Sequence, residues 1–388
     1  MGSFSGPEIV TNGLVFAYDM GNTDKSFQGA PTTNLINNPL PDGTTTGFAA
    51  IGGVGTLTFD AQNQAIKWVR TSYEVWGAYH TVNPIFNGTL STSVQYTTSF
   101  EWKVENNIFS NSVYSYELVQ GNGVSPAVAV NLVTNSTLQP NGWFLFKCTF
   151  TPANAGVGEA YNRIYFPSQS TNTSTFYWRK IQFEQRAFAT PFVNGTRSTT
   201  QSLLDFTRRN TITMTSPTYN SNGLFSFSGG TERITLPATI GPINNHFTMS
   251  AWINSTSISS TQNILSMNGP YFMRIDGSRV RFNVLTDSWL FQAGTTTLLS
   301  NTWYFLTMVW NGTAGTWTGY INGTQEFSTA KSGTVSATNF YGYVGYTPEG
   351  GEQSNFQGQI AAVYYYNRAL TAAEVIQNFN ANRGRYGI

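Results

Sequence analysis

The sequence predicts an all-β protein that consists of two antiparallel β-sandwiches of the jelly-roll type and one short C-terminal capping helix. Two observations predict the sheets: apolar and polar residues alternate in many short segments, and Asn-Gly pairs separate these segments. A third observation, one segment with helical periodicity near residue 370, predicts the helix. With 388 residues the chain is long enough for two cores, because a single core stops growing near about 300 residues.

The composition limits the classes of protein that fit this chain. Charged residues make up 10% and aromatic residues 15%, a balance that argues against disorder and favours sheets. The net charge is +1 and no basic run is present, so we expect no nucleic-acid partner. The first residues do not resemble a signal peptide and no apolar run could cross a bilayer, so we expect no membrane insertion. Cys148, the single cysteine, is predicted to be a buried thiol.

Three segments show the strand pattern clearly. The segment "TWTGYINGTQEF" predicts a hairpin whose turn is Asn322-Gly323. In "FTMSAWI" the alternation predicts one shared face, formed by Phe247, Met249, Ala251 and Ile253. In "FYWRKIQF" it predicts one face with Tyr177, Arg179, Ile181 and Phe183, and the opposite face with Phe176, Trp178, Lys180 and Gln182.

Residues 367–379, "NRALTAAEVIQNF", predict the helix. Thr371 at the N-cap and Glu374 three residues later form a capping box, and we expect Gly384 to end the helix. The predicted apolar face consists of Ala372, Val375, Ile376 and Phe379. The preceding strand, "QIAAVYYY", is apolar on both faces, so we expect the helix to cover one of them.

Several of these segments resemble known families. The stretch "FQGQIAAVYYYNRALTAAEVIQNFNANRGRYG" resembles the closing segment of laminin-G-like, concanavalin A-like jelly rolls, and the likeness covers about residues 200–388. The segment "GLVFAYDMGNTDKSFQG", residues 13–29, resembles the first strand of the same domains. Between them, "NGWFLFKCTF" and "FYWRKIQFEQRAFATPF" resemble carbohydrate-binding-module-like, galactose-binding-type sandwiches of phage tail and fibre proteins.

The resemblance implies a jelly roll that is interrupted by an inserted domain. We expect the first strand in residues 1–30, the inserted sandwich in residues 31–195 and the remainder of the jelly roll in residues 196–388. Such an insertion is tolerated in an exposed loop, because the entropy of loop closure grows only logarithmically with length.

The residues favour binding over catalysis. Glycoside hydrolysis requires two carboxylates about 5–10 Å apart, and the chain has no Glu-x-Asp-x-x-Glu run. We interpret Glu101 and Glu105 as solvated, and Glu349 and Glu352 as surface residues. With two histidines in the chain, neither a Ser-His-Asp triad nor a histidine-based metal site is expected. We therefore predict that the protein is not an enzyme.

Two kinds of binding site are predicted. Sandwiches bind sugars through aromatic faces and neighbouring amides, and the candidate carbohydrate-binding residues are Tyr73, Trp76, Tyr79, Tyr343 and Tyr346. The same residues also fit a core, because the chain is rich in aromatic residues. In "DMGNTD", oxygen donors that suit a structural calcium ion are supplied by Asp19, Asn22 and Asp24. A polar turn after a strand fits these three residues equally.

The resemblance implies a non-enzymatic structural protein of a phage virion. It would be a head decoration protein, a head fibre or a tail fibre, and it would lie on the virion surface. Its partners would be capsid or tail proteins, cell-surface glycans and, by analogy with fibres, further copies of the chain as a homo-oligomer. The alternative is a carbohydrate-binding lectin or adhesin that recognises cell-surface polysaccharide, and a depolymerase is the third hypothesis.

Overall fold

A computed structural model describes residues 7–36, 43–45, 48, 55–69, 79–81, 90–105, 115–120, 126–152, 160–165, 175–220, 223–237, 240, 245–267, 271–335, 342–347 and 355–388. The prediction of an all-β fold is confirmed, because these residues form antiparallel sheets followed by one short C-terminal helix. The chain divides into two compact units. The first unit combines residues 1–30 with residues 198–388, and the second unit is residues 31–197.

The strands up to the end of the second unit are β1 (Leu14–Asp19), β2 (Thr32–Thr33), β3 (Thr56–Asp60), β4 (Ala65–Val69), β5 (Tyr79–Thr81), β6 (Tyr96–Glu105), β7 (Ser115–Gln120), β8 (Pro126–Asn131), β9 (Ser136–Leu138), β10 (Phe144–Phe150), β11 (Ala160–Tyr165), β12 (Thr175–Glu184) and β13 (Thr196–Arg197). The strands that follow are β14 (Thr213–Thr215), β15 (Thr218–Tyr219), β16 (Phe225–Ser228), β17 (Arg233–Leu236), β18 (His246–Ser255), β19 (Gln262–Met267), β20 (Tyr271–Asp276), β21 (Arg279–Leu285), β22 (Trp289–Ala293), β23 (Trp303–Asn311), β24 (Thr316–Ile321), β25 (Thr324–Ala330), β26 (Gly342–Val344) and β27 (Gln357–Tyr366). The helices are α1 (Thr199–Ser202) and α2 (Ala372–Asn382), and a 3-10 helix follows at Arg383–Tyr386.

The first unit contains two sheets around one core. The eight-stranded sheet has the order β15-β16-β27-β18-β23-β24-β25, with β1 also paired to β27, and the seven-stranded sheet has the order β14-β17-β26-β19-β20-β21-β22. Side chains of both sheets form one buried cluster. Phe247 of β18 stacks on Tyr271 of β20 with ring centroids 4.0 Å apart, so the two sheets pack face to face.

Strand β1 pairs with β27 in antiparallel register, with Ala17 opposite Tyr364. The early strand is therefore part of the sheet that residues 198–388 complete. The second unit begins and ends with β2 and β13, which pair with each other through Thr32 and Arg197. Its last residue is Arg197, two positions beyond the end that the sequence suggests.

Helix α2 confirms the predicted capping box. The hydroxyl of Thr371 accepts from Glu374 N at 3.3 Å, and a Glu374 carboxylate oxygen accepts from Thr371 N at 2.8 Å. Val375 and Phe379 are buried against Trp252 and the aromatic residues of β27, so the helix covers this strand as predicted. The predicted turn is also present, since Asn322 and Gly323 both have positive φ between β24 and β25.

The predicted face and end of the helix are partly wrong. Ala372 is exposed and Ile376 is 45% exposed, and the third buried residue of the helix is Asn378. The amide of Asn378 accepts from Val10 N at 2.8 Å and donates to the Tyr366 hydroxyl at 2.9 Å, and these bonds set the rotation of the helix. Gly384 does not end the helix as predicted. Helix α2 ends at Asn382, Gly384 lies within the 3-10 helix that follows, and Gly387, with a φ of 73°, is the C-cap of that 3-10 helix.

The second unit contains a six-stranded sheet, β3-β4-β12-β6-β10-β9, and a four-stranded sheet, β5-β11-β7-β8. The alternation predicted for β12 is wrong beyond Arg179. A β-bulge lies between Arg179 and Gln182, and Lys180 has a positive φ of 52°. The bulge brings Ile181 and Phe183 into the same buried cluster as Phe176 and Trp178, which the sequence placed on the opposite face. Cys148 is buried in this cluster, as predicted, and burial raises the pKa of its thiol.

Candidate functional site

The seven-stranded sheet has one face in the core and one face directed away from it. Strand β20 shows the alternation, because Tyr271, Met273 and Ile275 are buried in the core. The residues between them lie on the opposite face and are Phe272, Arg274 and Asp276. We call this opposite face of the seven-stranded sheet the outer face.

A row of directly opposed residues crosses the outer face from β17 to β22. It consists of Thr235, Tyr343, Ser266, Phe272, Asn283 and Phe291, and we call it the outer row. Neighbouring strands lie about 4.8 Å apart, so the row is about 24 Å long. Its members are separated by up to 108 positions in the chain, from Thr235 to Tyr343, and the pairing of the strands brings them into line.

Two predicted sugar-binding residues, Tyr343 and Tyr346, lie together near one end of the outer row. Their ring centroids are 5.5 Å apart with an interplanar angle of 76°. Arg233, on the neighbouring strand β17, places its guanidinium carbon 4.8 Å from the centroid of the Tyr346 ring. Both rings are half-buried, so each leaves part of its surface free for contact.

The other three predicted sugar-binding residues stay predictions. Tyr73 and Trp76 lie outside the described residues. Tyr79 is the first residue of β5 in the second unit, and the description of this strand is limited to its backbone.

A group of aromatic residues lies at the other end of the outer row, and the sequence analysis did not predict it as a binding site. Trp289 and Phe291 are 42% and 54% exposed, and their rings stack with centroids 6.0 Å apart. The Phe272 ring meets Trp289 at 5.7 Å in an edge-to-face arrangement. Exposed large apolar side chains that cluster on a sheet commonly mark a contact site. We call Phe272, Trp289 and Phe291 the aromatic patch.

Asn283 lies in the outer row between two members of the aromatic patch, opposite Phe272 on one side and Phe291 on the other. Its side chain is buried, with 0% exposure, and among the described residues neither its Oδ1 nor its Nδ2 has a hydrogen-bond partner. A buried polar group without a partner costs about 1–3 kcal/mol. A ligand that supplied this partner would recover part of that cost.

Three arginines lie beside the patch around a single carboxylate. The Oδ2 atom of Asp276 is 3.3 Å from Arg274 and 2.9 Å from Arg281. Arg279 is exposed and stands directly opposite Asp276 on β21. Arg281 also places its guanidinium carbon 6.0 Å from the Phe291 ring centroid. We call Arg274, Arg279 and Arg281 the arginine group, and its positive charges exceed the charge of Asp276 by two.

The residues of the predicted calcium site have other contacts. Asp19 is 4% exposed, and its two carboxylate oxygens accept from Arg385 at 2.8 and 2.9 Å. The Oδ1 atom of Asn22 accepts from Lys25 N at 2.8 Å, and Asp24 is exposed. Within the described residues, no group of three His, Cys, Asp or Glu side chains is arranged to hold a metal ion. Calcium binding at this turn stays a prediction.

The interpretation of Glu101 as solvated is wrong, because its side chain is 14% exposed, whereas the side chain of Glu105 is 42% exposed, as that interpretation expects. Glu101 forms ion pairs with Arg179 at 2.7 Å and with Lys180 at 2.8 Å. Glu105 lies 3.1 Å from Lys103, and this contact lowers the pKa of its carboxyl group. Glu101 therefore links β6 to β12, where Arg179 stands directly opposite it, whereas Lys103, the partner of Glu105, lies on β6 itself. Glu349 and Glu352 lie outside the described residues.

One family model matches the chain. Residues 228–376 match the concanavalin A-like lectin/glucanases superfamily, which confirms the predicted resemblance over that range. The matched range contains the whole outer row and the arginine group. No curated protein matches the chain in sequence. None of the helices in the described part of the chain has the length and apolar character that a membrane span requires.

The chain is similar in fold to several solved structures, among them the following three. A CBM40 module of the Ruminococcus gnavus IT-sialidase, bound to alpha2,3 sialyllactose, is 15% identical, with 34% of this chain and 80% of that chain covered and a TM-score of 0.31. The binding domain of botulinum neurotoxin serotype D is 16% identical with a TM-score of 0.37, and the match covers 46% of this chain and 49% of that one. A heptameric SAP-like pentraxin from Limulus polyphemus is 19% identical, with 39% and 78% covered and a TM-score of 0.32.

Proposed function

We propose that the chain is a non-enzymatic carbohydrate-binding protein of the lectin or adhesin type and that the outer face is its binding surface. The observation that carries this proposal is the outer row, in which Tyr343, Phe272 and Phe291 lie in one line across the sheet. Tyr346 and Trp289 flank its two ends. Aromatic rings offer flat apolar surfaces to the C–H faces of sugars.

The polar members of the row fit the same ligand. Thr235, Ser266 and Asn283 alternate with the aromatic residues along the row, and their hydroxyl and amide groups are of the kinds that form hydrogen bonds with sugars. A few placed polar groups among aromatic residues are typical of ligand sites, because they fix the orientation of the ligand. The length of about 24 Å suits an extended oligosaccharide better than a single sugar.

Binding without hydrolysis fits the charges of this face. Hydrolysis of a glycosidic bond requires a pair of carboxyl groups. Along the strands of the outer face that the structure describes, Asp276 is the single carboxylate, and two arginines hold it. We therefore propose recognition and not depolymerisation, and incubation of bound polysaccharide with the protein should release no reducing sugar.

A glycan array tests the binding proposal directly. Phe291→Ala and Tyr343→Ala should each weaken binding to the glycans that the wild-type protein retains by about tenfold, because each removes an aromatic contact surface. Leu299→Ala is the matched control, since Leu299 is an exposed apolar residue outside the outer row. The proposal fails if the wild-type protein binds no glycan, or if the control loses as much affinity as the two row variants.

We propose further that this binding protein is a component of a phage virion, where it would contact capsid or tail proteins. This proposal is supported by the resemblance of residues 31–195 to the modules of phage tail and fibre proteins. Mass spectrometry of purified particles and antibody labelling of their surface test it, and a homo-oligomer would appear in light scattering of the purified protein. Absence of the chain from the particles would contradict it.

A further inference from the structure

We propose that the outer face selects acidic polysaccharides, with the aromatic residues of the outer row stacking on the sugar rings and the arginine group binding their carboxylates. This inference rests on the proposed carbohydrate-binding function and adds the chemical class of the ligand. The carboxylates would belong to uronic acid residues within an extended chain, since the row offers room for several sugar rings.

The charges of the arginine group favour an anionic ligand. Arg274 and Arg281 share one oxygen atom of Asp276, and Arg279 is exposed beside them. A guanidinium group carries five N–H donors, and exposed Arg279 and the 37% exposed side chain of Arg281 present such donors to solvent. The planar fork of an arginine matches a carboxylate in a bidentate arrangement, which makes a sugar carboxylate the best complement.

The arrangement of two arginines also costs stability in the absence of a ligand. Arg274 and Arg281 stand directly opposite each other on β20 and β21. Like charges in directly opposed positions of a sheet destabilise the pair. Asp276 relieves part of this repulsion, and a carboxylate bound to Arg281 would act in the same direction. The strand pairing thus holds two cations together at a point where an anion would be favourable.

The spacing links the two groups into one site. Arg274 follows Phe272 by two residues on β20, and Arg281 precedes Asn283 by two residues on β21. Two residues along a strand correspond to about 7 Å. A sugar ring that stacks on the outer row through its C–H face can therefore place a carboxyl substituent within reach of the arginines.

Asn283 supports a ligand at the same position. Its amide has no hydrogen-bond partner among the described residues, and it lies between Phe272 and Phe291 next to the arginine group. A ligand hydroxyl group that reached this amide would supply the partner that it lacks among the described residues. The amide can donate to and accept from such a hydroxyl group, as neutral recognition of a sugar requires.

The test compares acidic polysaccharides with their neutral counterparts. Polygalacturonate and hyaluronate are each immobilised beside the same polymer after chemical reduction of its carboxyl groups, and an array of neutral glycans is included. The wild-type protein should bind an acidic polymer at least about tenfold more tightly than its reduced form. The preference should weaken in high salt, because salt screens exposed charges.

Matched variants separate charge from stacking. Arg281→Gln should remove most of the preference for the acidic form, so that the acidic and reduced forms bind with similar affinity. Phe291→Ala should weaken binding to both forms. Arg209→Gln is the charge-matched control, because Arg209 is exposed in the loop before β14, at the opposite edge of the sheet from β22. Circular dichroism spectra identical to wild type establish that each variant is folded.

Each outcome has one meaning. A preference for the acidic forms that Arg281→Gln removes and Arg209→Gln retains supports the inference. Binding of neutral glycans without preference for the acidic forms overturns the inference and leaves the carbohydrate-binding function intact. A preference that Arg281→Gln leaves unchanged overturns the assignment to the arginine group. A wild-type protein that binds none of these glycans overturns the proposed function itself.

Discussion

Replacement of Glu374 by glutamine tests how helix α2 is held on the sheet. The carboxylate of Glu374 accepts from both terminal nitrogens of Arg368 and also from Thr371 N at 2.8 Å. Arg368 in turn donates through Nε to Asn12 O at 3.0 Å, so the carboxylate connects the start of the helix with the N-terminal segment. Glutamine keeps the shape of the side chain and removes its charge.

The expected loss of folding stability follows from the pKa of the Glu374 carboxyl group. The hydrogen bonds from Arg368 lower the pKa of Glu374 from its ordinary 4.5 to about 2, against the effect of burial. At neutral pH this difference corresponds to about 3 kcal/mol of stability. About a quarter of the side chain is exposed, so solvent screens the pair, and we expect Glu374→Gln to cost about 1.5 kcal/mol.

The stabilising contribution of Glu374 should decrease in acid. Because the pKa of Glu374 is lower in the folded than in the unfolded chain, its contribution is complete above about pH 4.5 and is lost as the pH falls through about 2. The difference between the variant and the wild type should therefore shrink in acid. Urea unfolding at pH 7 and pH 2.5 measures this difference, and hydrogen exchange of residues 372–382 shows that the helix is the part affected. Glu8→Gln is the charge control, because Glu8 is exposed. Equal effects of the two variants, or a difference that does not shrink at pH 2.5, would refute this account of the helix.

Three further outcomes are expected from the packing and the ion pairs of the first unit. Arg385→Gln should lower the free energy of unfolding by about 3 kcal/mol in urea titrations, because it leaves the buried carboxylate of Asp19 without its cation, and the added change Asp19→Asn should restore part of the loss. Gly358→Ala should lower the melting temperature far more than Gly277→Ala, since both glycines have positive φ but only at Gly358 would a Cβ atom lie 2.1 Å from Asn254 O. A chelator should leave the melting temperature of the wild type unchanged because Arg385 already neutralises Asp19, whereas a lower melting temperature in the chelator would support the predicted calcium ion.

The elements that depend on local signals could be predicted from the sequence. The capping box of α2 is formed by two residues three positions apart, and the turn at Asn322-Gly323 by two neighbours. The exposure of Ile376 could not be predicted in this way. The rotation of the helix depends on Asn378, whose partner Val10 lies 368 positions away in the chain. The bulge at Lys180 likewise has no periodic signal, because an inserted residue interrupts the pattern that would reveal it.

The candidate site was predictable only in part for the same reason. Tyr343 and Tyr346 are three positions apart, and their contact could be anticipated from one short segment. Trp289 and Phe291 stand in "WLFQA", where both alternating sets contain an apolar residue, so periodicity does not decide which set faces the core. The outer row depends on which strands are neighbours, and its order, β17-β26-β19-β20-β21-β22, is not the order of the chain.

The pairing of β1 with β27 has a consequence for the synthesis of this protein. The hydroxyl of Tyr18 donates to the carbonyl of Ile360, a residue 342 positions later. At about 5–20 residues per second, a ribosome needs roughly 20–70 s to produce the partner after the first strand has emerged. The contiguous second unit can fold within that interval, whereas β1 has no partner strand in its sheet until β27 has been synthesised.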